Sequence, residues 1–201
     1  MIFTENLKEG IREMGIIRSA FACSVFSLLA ATTVVMPAMA QESVLRVSPN
    51  GVDIATLDPH RAVSTTDKAP VAWMFNGLVR FLPGSADPTT IEPDLAESWD
   101  VSEDGLVWTF KLRQGVLFHG EWGELTADDV VYSIQRASNP DTSSFSAAFA
   151  NIEEVAKVDD HTVTFRLVHP DAAFINVLAN FHGGNIVSKR AADEPFVIVT
   201  P

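Results

Sequence analysis

Three groups of residues in this chain have the types and spacing to do chemistry. His119-Gly120-Glu121 has the His-x-Glu spacing with which zinc deaminases hold a metal and its general acid. That signature needs a Pro-Cys-x-x-Cys partner, and Cys23 is the only cysteine. His119, Glu121, Glu124, Asp128 and Asp129 could together attract a cation. No two histidines there have zinc spacing, however, and the paired aspartates open a helical pattern, where negative charge suits the free backbone amides. His182-Gly183-Gly184 has the look of an esterase oxyanion loop, but the chain holds no Gly-x-Ser-x-Gly elbow to supply a nucleophile. The residues therefore point to no catalytic residue, no metal and no cofactor. Four tryptophans offer stacking surfaces. Trp73 lies by a helical stripe and Trp108 on the apolar face of a strand, which predicts burial for both, whereas Trp122 sits among charges and is the one expected at the surface.

The elements that would position these groups centre on residues 97–139. Ser102-Glu103-Asp104-Gly105 is a hairpin turn, since Asp-Gly between apolar runs is the strongest short-range signal for one. Leu106, Trp108, Phe110 and Leu112 then alternate with Val107, Thr109, Lys111 and Arg113, the pattern of a half-buried strand. Thr126 followed by Asp129 reads as a capping box, Val130, Ile134 and Ala137 follow at helical spacing, and Asn139-Pro140 ends the helix. A second hairpin turns at Asp159-Asp160-His161, with Val163, Phe165 and Leu167 alternating beyond it. Pro170 opens a further helix with Phe174, Val177, Leu178 and Phe181 on its buried face.

Upstream, Val44 to Val47 has strand character. Asp67 is the expected cap of a helix with Pro70 in its first turn and a buried stripe of Val71, Met74, Phe75, Leu78 and Val79. Asp58 precedes Pro59, which biases it to an extended conformation, and its carboxylate can bond a downstream amide; that is a sufficient structural reason for the pair.

Residues 1–40 read as a secretory signal. Ser19 to Met36 is uncharged and apolar or small, Arg18 precedes it, and Ala38-Met39-Ala40 is a cleavage site before Gln41. Glu5, Glu9 and Glu13 do not suit a signal, which makes Met14 the expected start. Those forty residues carry three acids and three bases, so the remainder keeps the whole net charge of −12. Such a surface repels phosphate backbones and argues against a nucleic-acid partner.

An ordered series of short motifs now carries a resemblance. Glu97-Ser98-Trp99, Asp104-Gly105, Trp108-Thr109-Phe110-Lys111-Leu112-Arg113, Gly115-Val116, Phe118-His119 and Leu125-Thr126-Ala127-Asp128-Asp129-Val130-Val131-Tyr132-Ser133 together resemble the signature of the family 5 extracellular solute-binding proteins, the dipeptide, oligopeptide and nickel receptors of ABC importers. Leu57-Asp58-Pro59 is similar to the family's early loop, and His182 to Lys189 to its passage from the small lobe back to the first ligand lobe. Gly120 to Leu125 is longer than the family's usual turn.

The resemblance implies an α/β fold of the periplasmic-binding-protein type (class II), here part of the first ligand lobe plus the small mixed α/β scaffold lobe. It spans residues 44–192, leaves 193–201 as a divergent tail, and implies an amino-terminal portion, 41–192, of a truncated receptor. By the same resemblance Ser64, Thr65, Thr66, His182, Gly183, Gly184 and Asn185 are candidates for ligand binding. The implied setting is the periplasm or cell exterior, the implied partners a peptide or similar solute and ABC permease subunits, and the implied state a monomer. The competing readings are a nonfunctional remnant and a secreted hydrolase, for which no convergent reactive groups are visible.

Overall fold

The computed structural model describes residues 53–85, 87–179 and 183–192. The expectations for the signal segment, for the strand at 44–47, for Phe181 and His182 and for residues 193–201 lie outside them.

The fold is organised by an antiparallel sheet of four strands, β3 (Ala96–Val101), β4 (Val107–Leu112), β5 (Ile152–Asp159) and β6 (Thr162–Leu167), in the order β3-β4-β6-β5. Both hairpins form where their turns predict. Gly105 takes φ 71°, a left-handed conformation that costs glycine little, and donates its amide to the Ser102 carbonyl at 2.9 Å. Asp159 pairs with Thr162 across the second turn. In the register that results, Trp108 lies opposite Phe165 and Phe110 opposite Val163.

The alternating apolar residues of both inner strands therefore share one face. Trp108, Phe110, Leu112, Val163, Phe165 and Leu167 are all buried on it. Phe110 and Phe165 meet edge to face at 5.4 Å, and Phe174 closes on Trp108 at 5.5 Å, geometries that favour aromatic pairs beyond their buried area.

Three helices and a small ribbon cover this sheet and its flank. The first helix, α1, spans Thr65–Met74; β1 (Val79–Phe81) and β2 (Ile91–Pro93) pair antiparallel; α2 spans Ala127–Ser138; and α3 spans Phe174–Ala179. Thr126 stands at the N-cap of α2, with the Asp129 carboxylate reaching back to its amide at 2.9 Å, and Asn139 is the C-cap. Val130, Ile134 and Ala137 are fully buried, as their spacing predicts. The terminal helix starts later than Pro170 implies: Asp171 Oδ1 takes the Ala173 amide at 2.8 Å, and the helix proper begins at Phe174.

The first helix departs from expectation at both ends. Its N-cap is Ser64, whose hydroxyl accepts from the Asp67 amide at 3.0 Å, so Asp67 lies in the first turn and Pro70 in the interior. Asp67 is instead engaged by the preceding loop, its carboxylate accepting the Ala55 amide at 2.8 Å. The helix stops at Met74. Leu78 and Val79 are buried through the ribbon, and the stripe that seemed continuous is two elements. Trp73, expected in the core, is 66% exposed, and Met74 is exposed with it. Both lie in the last turn of the helix, which ends at an extended C-cap, Phe75, so no further turn follows to carry the stripe on.

Candidate functional site

The loop that leads into α1 is held from both sides. Inside the loop, Asp58 Oδ1 accepts the His60 amide at 3.0 Å, the Asx-type contact expected of an Asp before proline. From across the molecule, Arg136 in the last turn of α2 grips the same carboxylate with both guanidinium nitrogens, Nη1 to Oδ1 at 2.9 Å and Nη2 to Oδ2 at 2.6 Å. Burial on its own would raise the Asp58 carboxyl; the two hydrogen bonds from Arg136 and the amide of His60 outweigh it and hold the group below its ordinary value. The Arg136 guanidinium is raised by the same pairing.

His60 completes the network and is 0% exposed. Its Nδ1 faces Arg136 Nη1, a donor, so Nδ1 accepts and the proton sits on Nε2, which donates to the Asn185 carbonyl at 3.1 Å. Burial first, and then the charge of Arg136, lower the imidazole to about 4. His60 is therefore neutral, and its carbonyl accepts the Ser144 amide at 2.9 Å.

These bonds bring the first turns of α1, Phe145 and Gly183 to one place. Lys68 lies over the Phe145 ring at 5.3 Å from its centroid, within cation–π range. Phe145 in turn packs on Gly183, where a Cβ would stand 3.1 Å from Cδ2 of the ring and where φ is 86°. Ser64 and Thr65 are exposed at the rim so formed and Thr66 is half-exposed, with the Ser64 hydroxyl committed to the cap. Pro70 has no N–H to offer the Thr66 carbonyl four residues before it.

Gly183, Gly184 and Asn185 are buried behind this rim. Gly184 lets the chain pass α3, because a Cβ there would come within 2.9 Å of the Leu178 carbonyl. Asn185 bridges to Gly77 and gives its side-chain amide to the Phe75 carbonyl at 3.3 Å. Of the seven candidates, then, Ser64, Thr65, Thr66 and Gly183 lie beside one rim, Gly184 and Asn185 lie beneath it, and His182 is outside the described residues. Sequence reasoning missed Phe145, His60 and Arg136. Leu57-Asp58-Pro59-His60 offered a signal for His60; nothing local distinguishes the other two.

On the far side of Arg136 lies an apolar concavity of about 360 Å³, lined by Met74, Phe118, Trp122, Tyr132, Ile186 and Ser188 among others. Trp122 is thus half-buried as part of its wall. The buried Ser188 hydroxyl has no hydrogen-bond partner among the described residues.

The four-stranded sheet and the helices that cover it form an α/β fold of the periplasmic-binding-protein type, the fold of the solved relatives it superposes on. The chain belongs to the bacterial extracellular solute-binding proteins, family 5, whose middle-region profile matches residues 90–197. It is 36% identical over 189 residues to di/tripeptide-binding protein 2 of Pseudomonas aeruginosa (strain UCBPP-PA14), across 78% of this chain and 35% of that protein. It is 40% identical over 154 residues to the dipeptide-binding protein of Escherichia coli (strain K12), across 68% of this chain and 28% of that one. Among solved structures, MoaA from A. tumefacien R10 in complex with mannopinic acid superposes with a TM-score of 0.69 at 48% identity, over 71% of this chain and 29% of the other. The ABC transporter-associated periplasmic binding protein DppA from Helicobacter pylori, in complex with the peptide STSA, gives 0.62 at 32% identity over 71% and 30%. The chain spans about a third of the length of the curated relatives it matches.

Proposed function

We propose that this chain supplies part of the solute-binding component of an ABC importer, capturing a peptide or similar small solute outside the cytoplasmic membrane and delivering it to permease subunits. The observation that carries this reading is the rim at the start of α1, where Ser64 and Thr65 face solvent, the Ser64 hydroxyl is fixed by the cap, and half-buried Phe145 packs on the buried Gly183 beside them. Extended peptides are gripped chiefly through main-chain hydrogen bonds, and a rigid rim of hydroxyls and backbone groups is suited to that. Phe145 adds an apolar surface for a side chain. The strong negative charge of the chain speaks against a nucleic-acid partner. The chain works as a monomer in this scheme, reaching the periplasm or cell exterior through the segment before Gln41.

A second solute class has its own support. MoaA, at 48% identity, was solved with mannopinic acid, so an opine, a sugar joined to an amino acid, is the alternative to a peptide. Both share an amino-acid portion that the same rim could hold.

The test is a chimera in which residues 44–192 replace the matching region of the Escherichia coli dipeptide-binding protein, titrated calorimetrically with dipeptides and with mannopinic acid. Saturable binding of either solute by the folded chimera is the expected result. A folded chimera that takes up neither overturns the reading. The 201-residue chain on its own is expected to bind weakly or not at all, since one wall cannot desolvate a solute.

A further inference from the structure

We infer that His60 is the positioning residue of the rim, a single buried residue whose four hydrogen bonds, two from the backbone and two from the imidazole, set the spacing of the three segments that a solute would meet. The inference rests on the reading of that rim as the solute-facing surface, but its geometry is independent of any ligand.

Every polar group of His60 is spent on a different anchor. The amide goes to Asp58 Oδ1, 3.0 Å away, and keeps the start of the loop turned toward α1. The carbonyl accepts the amide of Ser144, the residue before Phe145, at 2.9 Å. Nδ1 accepts from Arg136, and Nε2 donates to the Asn185 carbonyl, two residues past Gly183. His60 itself lies four residues before the Ser64 cap. One residue thus joins three segments far apart in the chain: its backbone bonds the α1 loop and Ser144, and its ring bonds Arg136 and the Asn185 carbonyl beside Gly183.

Histidine suits this place for a chemical reason. The neutral ring offers one acceptor and one donor on opposite edges, held rigidly apart, and here they meet a guanidinium on one side and a carbonyl on the other. An aliphatic residue could fill the volume but would leave the Asn185 carbonyl and an Arg136 N–H without their partner in a dry interior. Asparagine can imitate the Nδ1 acceptor and glutamine the Nε2 donor, so the two bonds can be removed one at a time.

The test uses the chain from Gln41 to Pro201. Amide hydrogen exchange is followed in wild type, His60→Asn, His60→Gln and a core control, Ile134→Val. The expected result for His60→Asn is exchange about tenfold faster at Ile186 and Val187 with β4 and β6 unchanged. His60→Gln should spare that segment and speed exchange in residues 61–66 instead. The control should show neither local pattern. Equal, diffuse effects from all three variants would overturn the inference, because that is how plain loss of stability behaves. Should the variants fail to fold, nitrogen NMR of wild type decides: a protonated Nε2 with bare Nδ1 at neutral pH supports it, and the opposite tautomer sinks it. Neither arm depends on a solute, so failure of the proposed function would leave them intact.

Discussion

Asp58 and Arg136 stand 78 residues apart in the chain and meet in a two-pronged ion pair, with bonds of 2.9 and 2.6 Å between largely buried side chains. One belongs to the loop before α1 and the other to the last turn of α2, so this pair sets the distance between the rim and the sheet-bound helix. Removing one member leaves the other a largely buried charge without its counter-charge, which is the expensive way to break such a pair. Asp58→Asn is expected to cost about 3 kcal/mol of unfolding free energy. Arg80→Gln, which breaks the exposed 2.8 Å pair with Glu92, should cost about 0.5 kcal/mol or less. Urea titration of the two variants checks the contrast, and equal losses would contradict it.

The buried histidine makes stability depend on pH. The folded imidazole titrates at about 4 against 6.5 for the free group. As pH falls below 6.5 the unfolded chain takes up a proton that the folded chain refuses until about 4, so stability is full above that window and drops across it. The shift is worth roughly 3 kcal/mol in all. Asp58 acts lower down: its carboxyl is held below 3.8, so its contribution is present above that value and is lost as pH falls through the folded one. Denaturant midpoints measured from pH 7.5 down to pH 4.5 should fall in wild type and stay nearly level in His60→Asn, once the variant's constant offset is removed. Parallel profiles would count against the buried neutral ring.

Two glycines should respond oppositely to what their backbone angles suggest. Gly115 has φ 72° and open space around it, so Gly115→Ala pays only the left-handed penalty of about 1 kcal/mol. Gly184 has no such angle, but a Cβ there would sit 2.9 Å from the Leu178 carbonyl, a backbone atom that cannot swing aside. Gly184→Ala should therefore cost more, about 2 to 3 kcal/mol. Thermal unfolding of the pair tests the order.

Ser133 stitches α2 to the returning segment, accepting the Val187 amide at 2.9 Å with its own hydroxyl 2.7 Å from the Asp129 carbonyl. Ser133→Ala strands a buried amide and is expected to lose about 2 kcal/mol. Ser138→Ala removes only a bond back to the Ile134 carbonyl within the same helix, and should change stability by less than about 0.5 kcal/mol. Similar losses for both would mean that the stitch contributes little.

What could be seen in the sequence was what local chemistry decides. Asp104-Gly105, the alternation from Leu106 to Leu112 and the Thr126–Asp129 cap each act within a few residues, and each formed where its pattern predicts. The stripe through Val71 to Val79 misled because Leu78 and Val79 continue a helical period by coincidence after the helix has ended at Met74. The same error put Trp73 in the core. Ser64 and Asp67 are both good caps, and only the Ala55 amide, which occupies the Asp67 carboxylate, decides between them. The network of Asp58, His60 and Arg136 joins residues 76 to 78 positions apart, and no periodicity or short motif encodes such a meeting. Phe145 was invisible for the same reason: its neighbours Lys68 and Gly183 reach it only after the chain has folded.

The central claim is that the exposed turn at the head of α1 faces the solute. It is tested most directly by placing Thr65→Arg in the chimera with the Escherichia coli dipeptide-binding protein and measuring dipeptide affinity by calorimetry. A positive charge at an exposed helix start opposes the helix dipole by less than about 1 kcal/mol, so the melting temperature should fall by no more than a few degrees and the chimera stays folded. The account predicts affinity at least about tenfold weaker in that folded chimera. Undiminished affinity in a chimera that binds dipeptide would contradict it.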